Sequence, residues 1–193
     1  MALTIEEKVE HFAPELRLIF DKRVREFTRL CIGQAPEYFF TDCPSSTTGK
    51  FHPLDELTAD GVVIHTKKVF TMVYEMVKAL DCEHNRDLVL ASALIHDLRK
   101  QGLTKSGHTD MQRHCDYAAQ LVTEVQDATQ LLSDKQYSIV RNCVGYHLGP
   151  WSNNPWKKPM AEYTPEELTL FLSDFTVSKR FVSVDYRREE KYL

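Results

Sequence analysis

The sequence predicts an all-α protein. Apolar residues recur with the 3.6-residue helical period, helix-capping patterns precede several of these stretches, and no segment alternates convincingly with the period of a strand. Together they indicate roughly six or seven helices. With 193 residues, the chain is long enough for one domain with a buried core.

Three capping boxes mark predicted helix starts, each a Ser or Thr followed by Glu or Gln at the third position beyond it. They are Thr4 with Glu7, Ser133 with Gln136, and Thr164 with Glu167. Pro165 follows the last of these caps at the first helical position, where its missing N–H costs nothing.

Apolar helical faces follow the same period, and each predicts an amphipathic helix packed on a core. The first holds Leu16, Ile19, Phe20, Val24 and Phe27 and is predicted to end near Gly33; the second holds Val69, Met72, Val73, Met76, Val77 and Leu80; the third holds Tyr117, Ala118, Leu121, Val122 and Val125. Residues 34–61 and 148–163 are instead rich in loop-forming residues and are predicted as long loops, which are often functional.

Composition and charge limit the partners and the cellular compartment that we expect for this protein. A net charge of −4 argues against non-specific binding to duplex nucleic acid. No apolar run approaches the ~20 residues of a membrane span, and the N-terminus lacks the pattern of a signal peptide. The cysteines form no CxxC pair and are predicted to be free thiols in a reducing compartment. We therefore expect a cytoplasmic protein without a membrane partner.

Metal-binding side chains stand on, or at the end of, several apolar faces. They are His65, His96, Asp97, His114, His147 and Asp174. Burying such groups without partners costs several kcal/mol each, and a shared divalent cation removes that cost. Imidazole nitrogen and carboxylate oxygen suit Mn²⁺, Fe²⁺ and Zn²⁺. Four other histidines, His11, His52, His84 and His108, lie off these faces and serve as the comparison set.

The order His65, His96–Asp97, Asp174 resembles the HD-domain superfamily of metal-dependent phosphohydrolases. HDLRK looks like its HDxGK motif, with Arg99 in the glycine position and Lys100 kept. HCDYAAQLV and VGYHLGPW resemble later histidine motifs of the two-metal members, which include HD-GYP phosphodiesterases and the HD domain of YhaM-type exoribonucleases. PSSTTGKFHP followed by GVVIHTKKV looks like a pattern in small stand-alone HD hydrolases.

This resemblance implies a compact helical HD bundle with a divalent-metal site at its centre. It implies one domain, with a helical extension over 1–43, the HD core over 44–182 and a tail over 183–193. By position, His65, His96, Asp97 and Asp174 would hold a first metal, and Asp97 would bridge to a second metal held by His114 and His147. Mn²⁺ and Fe²⁺ are favoured, and Mg²⁺, Co²⁺, Ni²⁺ and Zn²⁺ are compatible.

The implied activity is hydrolysis of a phosphoester by a metal-activated hydroxide, on a nucleotide or short oligonucleotide. Asp97 would orient the nucleophile, and Lys100 would contact a non-bridging phosphoryl oxygen. Candidate substrate-binding residues are Ser45, Ser46, Thr47, Lys50, Arg99 and Trp151. A nucleotidase, a nucleoside triphosphate hydrolase and a cyclic-dinucleotide phosphodiesterase all fit, and the sequence makes no prediction of oligomeric state.

Two alternative functions use the same scaffold. One is a non-catalytic regulator that binds a nucleotide in an HD pocket, which would be marked by loss of a metal ligand. The other is a di-iron oxygenase, against which Lys100 weighs because it suits a phosphate. Every principal ligand is present in the sequence, which favours the hydrolase.

Overall fold

The computed structural model describes residues 2–46, 48–105, 112–155 and 157–187, and all regular secondary structure in these ranges is helical. The α-helices of this part of the chain are α1 (Ile5–Glu10), α2 (Ala13–Arg17), α3 (Lys22–Gly33), α4 (Tyr38–Thr41), α5 (Gly61–Ala79), α6 (Arg86–Ile95), α7 (His114–Thr129), α8 (Asp134–Tyr146) and α9 (Pro165–Val177). Short 3-10 helices occupy Leu54–Glu56, Glu83–Asn85, Gly149–Trp151 and Met160–Glu162. The predicted all-α class is confirmed.

Helix α6 is the centre of the bundle. Every side chain from Leu88 to Ile95 is buried, and the helix packs against α3, α5, α8 and α9. A helix that is apolar on all sides is stable only inside a core. Because α6 ends at Ile95, the next two residues, His96 and Asp97, emerge in the middle of the protein.

The predicted helix through Leu16 and Phe27 is interrupted, so that prediction is wrong in one respect. α2 ends at Arg17, and α3 begins only at Lys22. The Asp21 side chain accepts hydrogen bonds from the backbone N–H groups of Arg23 and Val24, which starts a new helix, and Phe20 is 70% exposed. A local aspartate cap therefore outweighs a continuous apolar spacing.

Other expectations from the sequence agree with the structure more closely. All three predicted capping boxes form. Each predicted loop, however, contains short helical segments: α4 and Leu54–Glu56 in the first, and Gly149–Trp151 and Met160–Glu162 in the second. All five cysteines are free and buried. Within the described ranges, no helix combines the length and the apolarity that crossing a bilayer requires.

The segment before α5 is fastened to the start of that helix by backbone hydrogen bonds. Cys43 N–H donates to the Ala59 carbonyl at 2.7 Å, and Ser45 N–H donates to the Glu56 carbonyl at 2.9 Å. The Ser45 hydroxyl donates to the Gly61 carbonyl at 2.9 Å. These bonds fix the short 3-10 helix Leu54–Glu56, and with it Glu56, against α5.

Gly61→Ala is expected to destabilise the protein by roughly 3 kcal/mol or more, the upper range for overpacking. A Cβ at Gly61 would lie 2.0 Å from the Glu56 carbonyl oxygen, and that backbone cannot withdraw without losing its bond to Ser45. Urea unfolding measures the effect. The control is Gly33→Ala, whose Cβ would meet only the flexible Ile5 side chain at 2.8 Å. Equal stability of the two variants would contradict this account.

Candidate metal centre and adjoining cavity

The structure brings all of the predicted ligand candidates together at one point. His65 comes from α5, His96 and Asp97 follow the end of α6, His114 begins α7, His147 caps the end of α8, and Asp174 lies on α9. All of these except the partly buried Asp174 are 5% exposed or less. Their side chains form a polar cluster enclosed by an otherwise apolar core.

Asp97 lies between two pairs of imidazoles. Its Oδ1 is 3.0 Å from His114 Nε2 and 3.8 Å from His147 Nε2. Its Oδ2 is 3.6 Å from His96 Nε2 and 3.9 Å from His65 Nε2. Each carboxylate oxygen therefore faces one pair, which is the arrangement expected of a bridging ligand.

Backbone carbonyls fix the orientation of two of the rings. His96 Nδ1 donates to the Ala93 carbonyl at 2.8 Å, and His147 Nδ1 donates to the Val144 carbonyl at 2.6 Å. A carbonyl only accepts, so the lone pair of each neutral ring lies on Nε2, directed into the cluster. His96 Nε2 is buried and has no hydrogen-bond partner among the described residues. Histidines that bind metals are commonly held in this way.

The pKa values within the cluster follow from burial and from the neighbouring charges. Burial, with His114 and His96 close by, lowers the pKa of His147 to about 3. Burial disfavours the charged form of His65 as well, but hydrogen bonds to Asp174 and Glu56 outweigh it and raise the pKa of His65 to about 9. Burial also disfavours charge on Asp97, yet Lys100 and the nearby imidazoles hold its pKa well below the usual range. The cluster thus favours anionic carboxylates beside a site that attracts positive charge.

This donor set fits divalent cations. His65, His96 and Asp174 offer ligand atoms within 4.8 Å of one another, and so do Asp97, His114 and His147. Nitrogen and carboxylate oxygen are the ligands that Mn²⁺, Fe²⁺ and Zn²⁺ accept. His96 Nε2 lacks a partner among the described residues, and His114 Nε2 and His147 Nε2 lie 2.9 Å apart; bound cations would satisfy all three nitrogens.

Lys100 contacts the cluster through Asp97. Its Nζ donates to Asp97 Oδ2 at 2.5 Å, and the side chain is buried. Burial disfavours the ammonium, but the Asp97 carboxylate more than offsets this and raises the pKa of Lys100. The lysine therefore remains charged beside the group that faces both imidazole pairs.

Sequence reasoning missed Glu56 and left His52 outside the site. Glu56 is fully buried, and its Oε2 accepts from His52 Nδ1 at 2.8 Å and from His65 Nδ1 at 3.1 Å. Its Oε1 accepts from Lys68 Nζ at 3.0 Å. Burial disfavours the carboxylate, but these hydrogen bonds lower the pKa of Glu56. No apolar periodicity marks this loop; the only signal was the spacing of His52 and Glu56 four positions apart.

A cavity of about 520 Å³ adjoins the cluster, and His147 and Asp174 belong to its wall. Another part of the wall is aromatic: the Trp151 and Phe175 rings stack with centroids 5.2 Å apart and an interplanar angle of 2°. Trp151 is 56% exposed, so much of the indole remains accessible. Polar clusters beside an apolar wall are typical of small-molecule sites.

Only some of the predicted substrate-binding residues lie at the cavity. Ser45, Ser46 and Trp151 line the cavity, although the Ser45 hydroxyl donates to the Gly61 carbonyl. Lys50 and Arg99 are not part of its described wall: Lys50 is exposed with Nζ over the ring of Phe51, and Arg99 is buried and pairs with Glu124 of α7 at 2.5 Å. Thr47 and His108 lie outside the described residues.

Comparison with known proteins adds one positive finding. The family model of the HD domain matches residues 62–176, a span that runs from before His65 to beyond Asp174. No curated protein and no solved structure matches the chain. The family match covers more than half of the chain and contains every residue of the polar cluster, so the chain belongs to the HD-domain family, whose members are generally metal-dependent phosphohydrolases.

Proposed function

We propose that this protein is a metal-dependent phosphohydrolase that cleaves a phosphoester of a nucleotide or a short oligonucleotide. The observation that carries the proposal is the position of Asp97, whose two oxygens face separate imidazole pairs in a buried cluster. This geometry suits two cations better than a single structural ion, because structural sites are closed by four ligands around one metal.

The ligand assignment follows the two sides of Asp97. His65, His96, Asp97 and Asp174 would hold one cation, and Asp97, His114 and His147 would hold the other. Mn²⁺ and Fe²⁺ are the favoured ions. When bound, such cations polarise a phosphoryl oxygen and make water a stronger nucleophile at neutral pH.

The protein's own groups then position and neutralise the reacting phosphate. The hydrogen bond from Lys100 holds Asp97 with its two oxygens toward the two imidazole pairs, where the carboxylate would bridge two cations. An ammonium has three N–H donors, so Lys100 keeps donors for a phosphoryl oxygen on which negative charge develops. Asp174 belongs both to the polar cluster and to the cavity wall, so it lies between the proposed cations and the proposed substrate.

The aromatic wall supports a nucleotide as substrate. Trp151 and Phe175 are stacked on each other and partly exposed, and they line the same cavity as His147 and Asp174. Stacking of one base on an aromatic side chain contributes about 1–3 kcal/mol and tolerates any base. The net charge of −4 disfavours a long polyanion and agrees with a small substrate.

A phosphoester screen tests the proposal. Protein reconstituted with Mn²⁺ or Fe²⁺ is assayed with p-nitrophenyl phosphate and bis(p-nitrophenyl) phosphate, then with nucleoside monophosphates, dNTPs and cyclic dinucleotides. We expect metal-dependent hydrolysis of at least one nucleotide class. Nucleotide binding without turnover of any ester would instead identify a regulator, and metal-dependent oxygen consumption would identify an oxygenase.

Trp151→Leu is expected to raise KM for the nucleotide substrate roughly tenfold, since it removes the stacking surface but no group of the metal cluster. Steady-state kinetics on a nucleoside monophosphate and on ribose 5-phosphate, which has no base, measure the effect. Phe181→Leu is the control, because Phe181 is 95% exposed and does not belong to the described cavity wall. Equal losses on both substrates would argue against base stacking at Trp151.

A further inference from the structure

One carboxylate oxygen of Glu56 serves two histidines with different surroundings. Oε2 accepts from His65 Nδ1 at 3.1 Å and from His52 Nδ1 at 2.8 Å. The two rings are neighbours, with centroids 5.2 Å apart in an edge-on arrangement. His65 is 1% exposed within the polar cluster, whereas His52 lines the cavity.

These hydrogen bonds determine which nitrogen of each ring is available. Because the Glu56 carboxylate can only accept, both histidines carry a proton on Nδ1. His65 therefore directs Nε2 toward Asp174 and Asp97, at 2.9 Å and 3.9 Å. For His52, Nε2 is the ring nitrogen left to a ligand in the cavity, and in the neutral ring it accepts from a ligand O–H, such as the hydroxyl of monohydrogen phosphate.

Glu56 itself has little freedom to move. Its backbone carbonyl accepts from Ser45 N–H, and its Oε1 accepts from the buried ammonium of Lys68 at 3.0 Å. The close approach of Gly61 to the same carbonyl leaves no room for a shift toward α5. Ser45 and Gly61 hold the backbone carbonyl of Glu56, and Lys68 holds its carboxylate. The carboxylate therefore sets the direction of both imidazoles.

We propose that Glu56 is a positioning residue that fixes His65 on the metal side and, with the same oxygen, holds His52 as a substrate-binding side chain on the cavity wall. This inference rests on the proposed function, since it takes His65 as a metal ligand and the phosphoester as the ligand of the cavity. It assigns roles to two residues outside the six proposed metal ligands, although His52, Glu56 and His65 also offer ligand atoms within 4.8 Å of one another.

The two roles predict different losses in different variants. Glu56→Gln removes the charge and leaves one acceptor oxygen for three donors, His52, His65 and Lys68. Mn²⁺ affinity is therefore expected to fall about 10- to 100-fold, as for other residues that orient a metal-bound histidine. His52→Ala is expected to leave Mn²⁺ affinity within about twofold of wild type and to weaken binding of inorganic phosphate to the Mn²⁺-loaded protein roughly 3- to 10-fold. Glu56→Gln also weakens phosphate binding, because His52 loses its anchor.

Asp55→Asn is the matched control. Asp55 is the neighbouring acid and also accepts from Lys68, at 2.8 Å, but among the described residues it contacts no imidazole. Both affinities of this variant are expected to match wild type. Calorimetric titration with Mn²⁺ and then with inorganic phosphate gives both values, and circular dichroism with a urea midpoint verifies folding. If Glu56→Gln does not fold, Glu56→Asp, which shortens the reach to both rings, replaces it with the same expectation.

The outcomes separate this inference from the proposed function. Wild-type protein that binds no Mn²⁺ would overturn both. Wild-type binding with a folded Glu56→Gln variant of unchanged Mn²⁺ affinity would overturn the inference alone. An equal loss of Mn²⁺ affinity in His52→Ala would also overturn it, because His52 would then act on the metal side.

Discussion

Asp97→Ala is expected to lower phosphoester turnover at least about 10³-fold, the largest effect of any single substitution in this protein. Asp97 is the residue that faces both imidazole pairs and the partner of Lys100. Its loss separates the two ligand sets and leaves the ammonium without its carboxylate. A site that stabilises the transition state by several kcal/mol loses about tenfold in rate for each 1.36 kcal/mol removed.

The fold of the Asp97 variant is expected to persist, because the apolar core around α6 is unchanged. Asp97→Asn preserves the volume of the side chain and separates the loss of charge from the loss of packing. Asp87→Asn, at the opposite end of α6, is the matched control and should keep wild-type turnover. Rates are measured with the best ester from the screen, alongside circular dichroism. Wild-type turnover in Asp97→Ala would refute the assigned role.

Removal of the metals is expected to abolish turnover and to lower the melting temperature by about 5–10 °C. Cations that bind only the folded chain stabilise it by about 2.7 kcal/mol at a concentration 100 times the dissociation constant. In a protein of this length, each kcal/mol corresponds to about 2–4 °C. The described structure offers the reason: it buries His96 Nε2 without a partner and places His114 and His147 nitrogens 2.9 Å apart.

Calorimetry on chelator-treated protein, before and after addition of Mn²⁺, measures this stabilisation. The rise in melting temperature should depend on Mn²⁺ concentration and should be much smaller in Asp97→Asn, which retains the fold but not the bridging carboxylate. An identical melting temperature with and without metal would contradict the presence of a metal centre in the core.

The sequence was sufficient to predict the helices for which the apolar periodicity and the capping residues are consistent with each other. Thr164 with Glu167 begins α9 as expected, and the apolar face around Leu121 lies on α7. The break before α3 was missed because Leu16 and Phe27 share one helical spacing. A single side-chain cap at Asp21 decided the local structure, and such competition is not visible in a periodic pattern.

The candidate ligands could be recognised because each is a polar side chain on, or at the end of, an otherwise apolar helical face. The sequence alone shows this interruption. Glu56 could not be recognised in the same way, because its burial depends on contacts with Lys68 and His65 that only the tertiary structure creates. Arg99 shows the converse. Its place in the HDLRK motif suggested a substrate contact, yet its guanidinium pairs with Glu124 across the bundle. A motif records spacing along the chain and does not record which neighbour a long side chain meets.

The polar cluster draws its side chains from five helices spread between positions 65 and 174. Synthesis proceeds from the N-terminus, so a nascent chain emerging from the ribosome presents His65 long before Asp174. Neither α6 nor its terminal His96–Asp97 pair can be enclosed until α8 and α9 have been made. Complete assembly of the proposed metal centre is accordingly expected late in the biogenesis of this protein, because it requires Asp174 of α9.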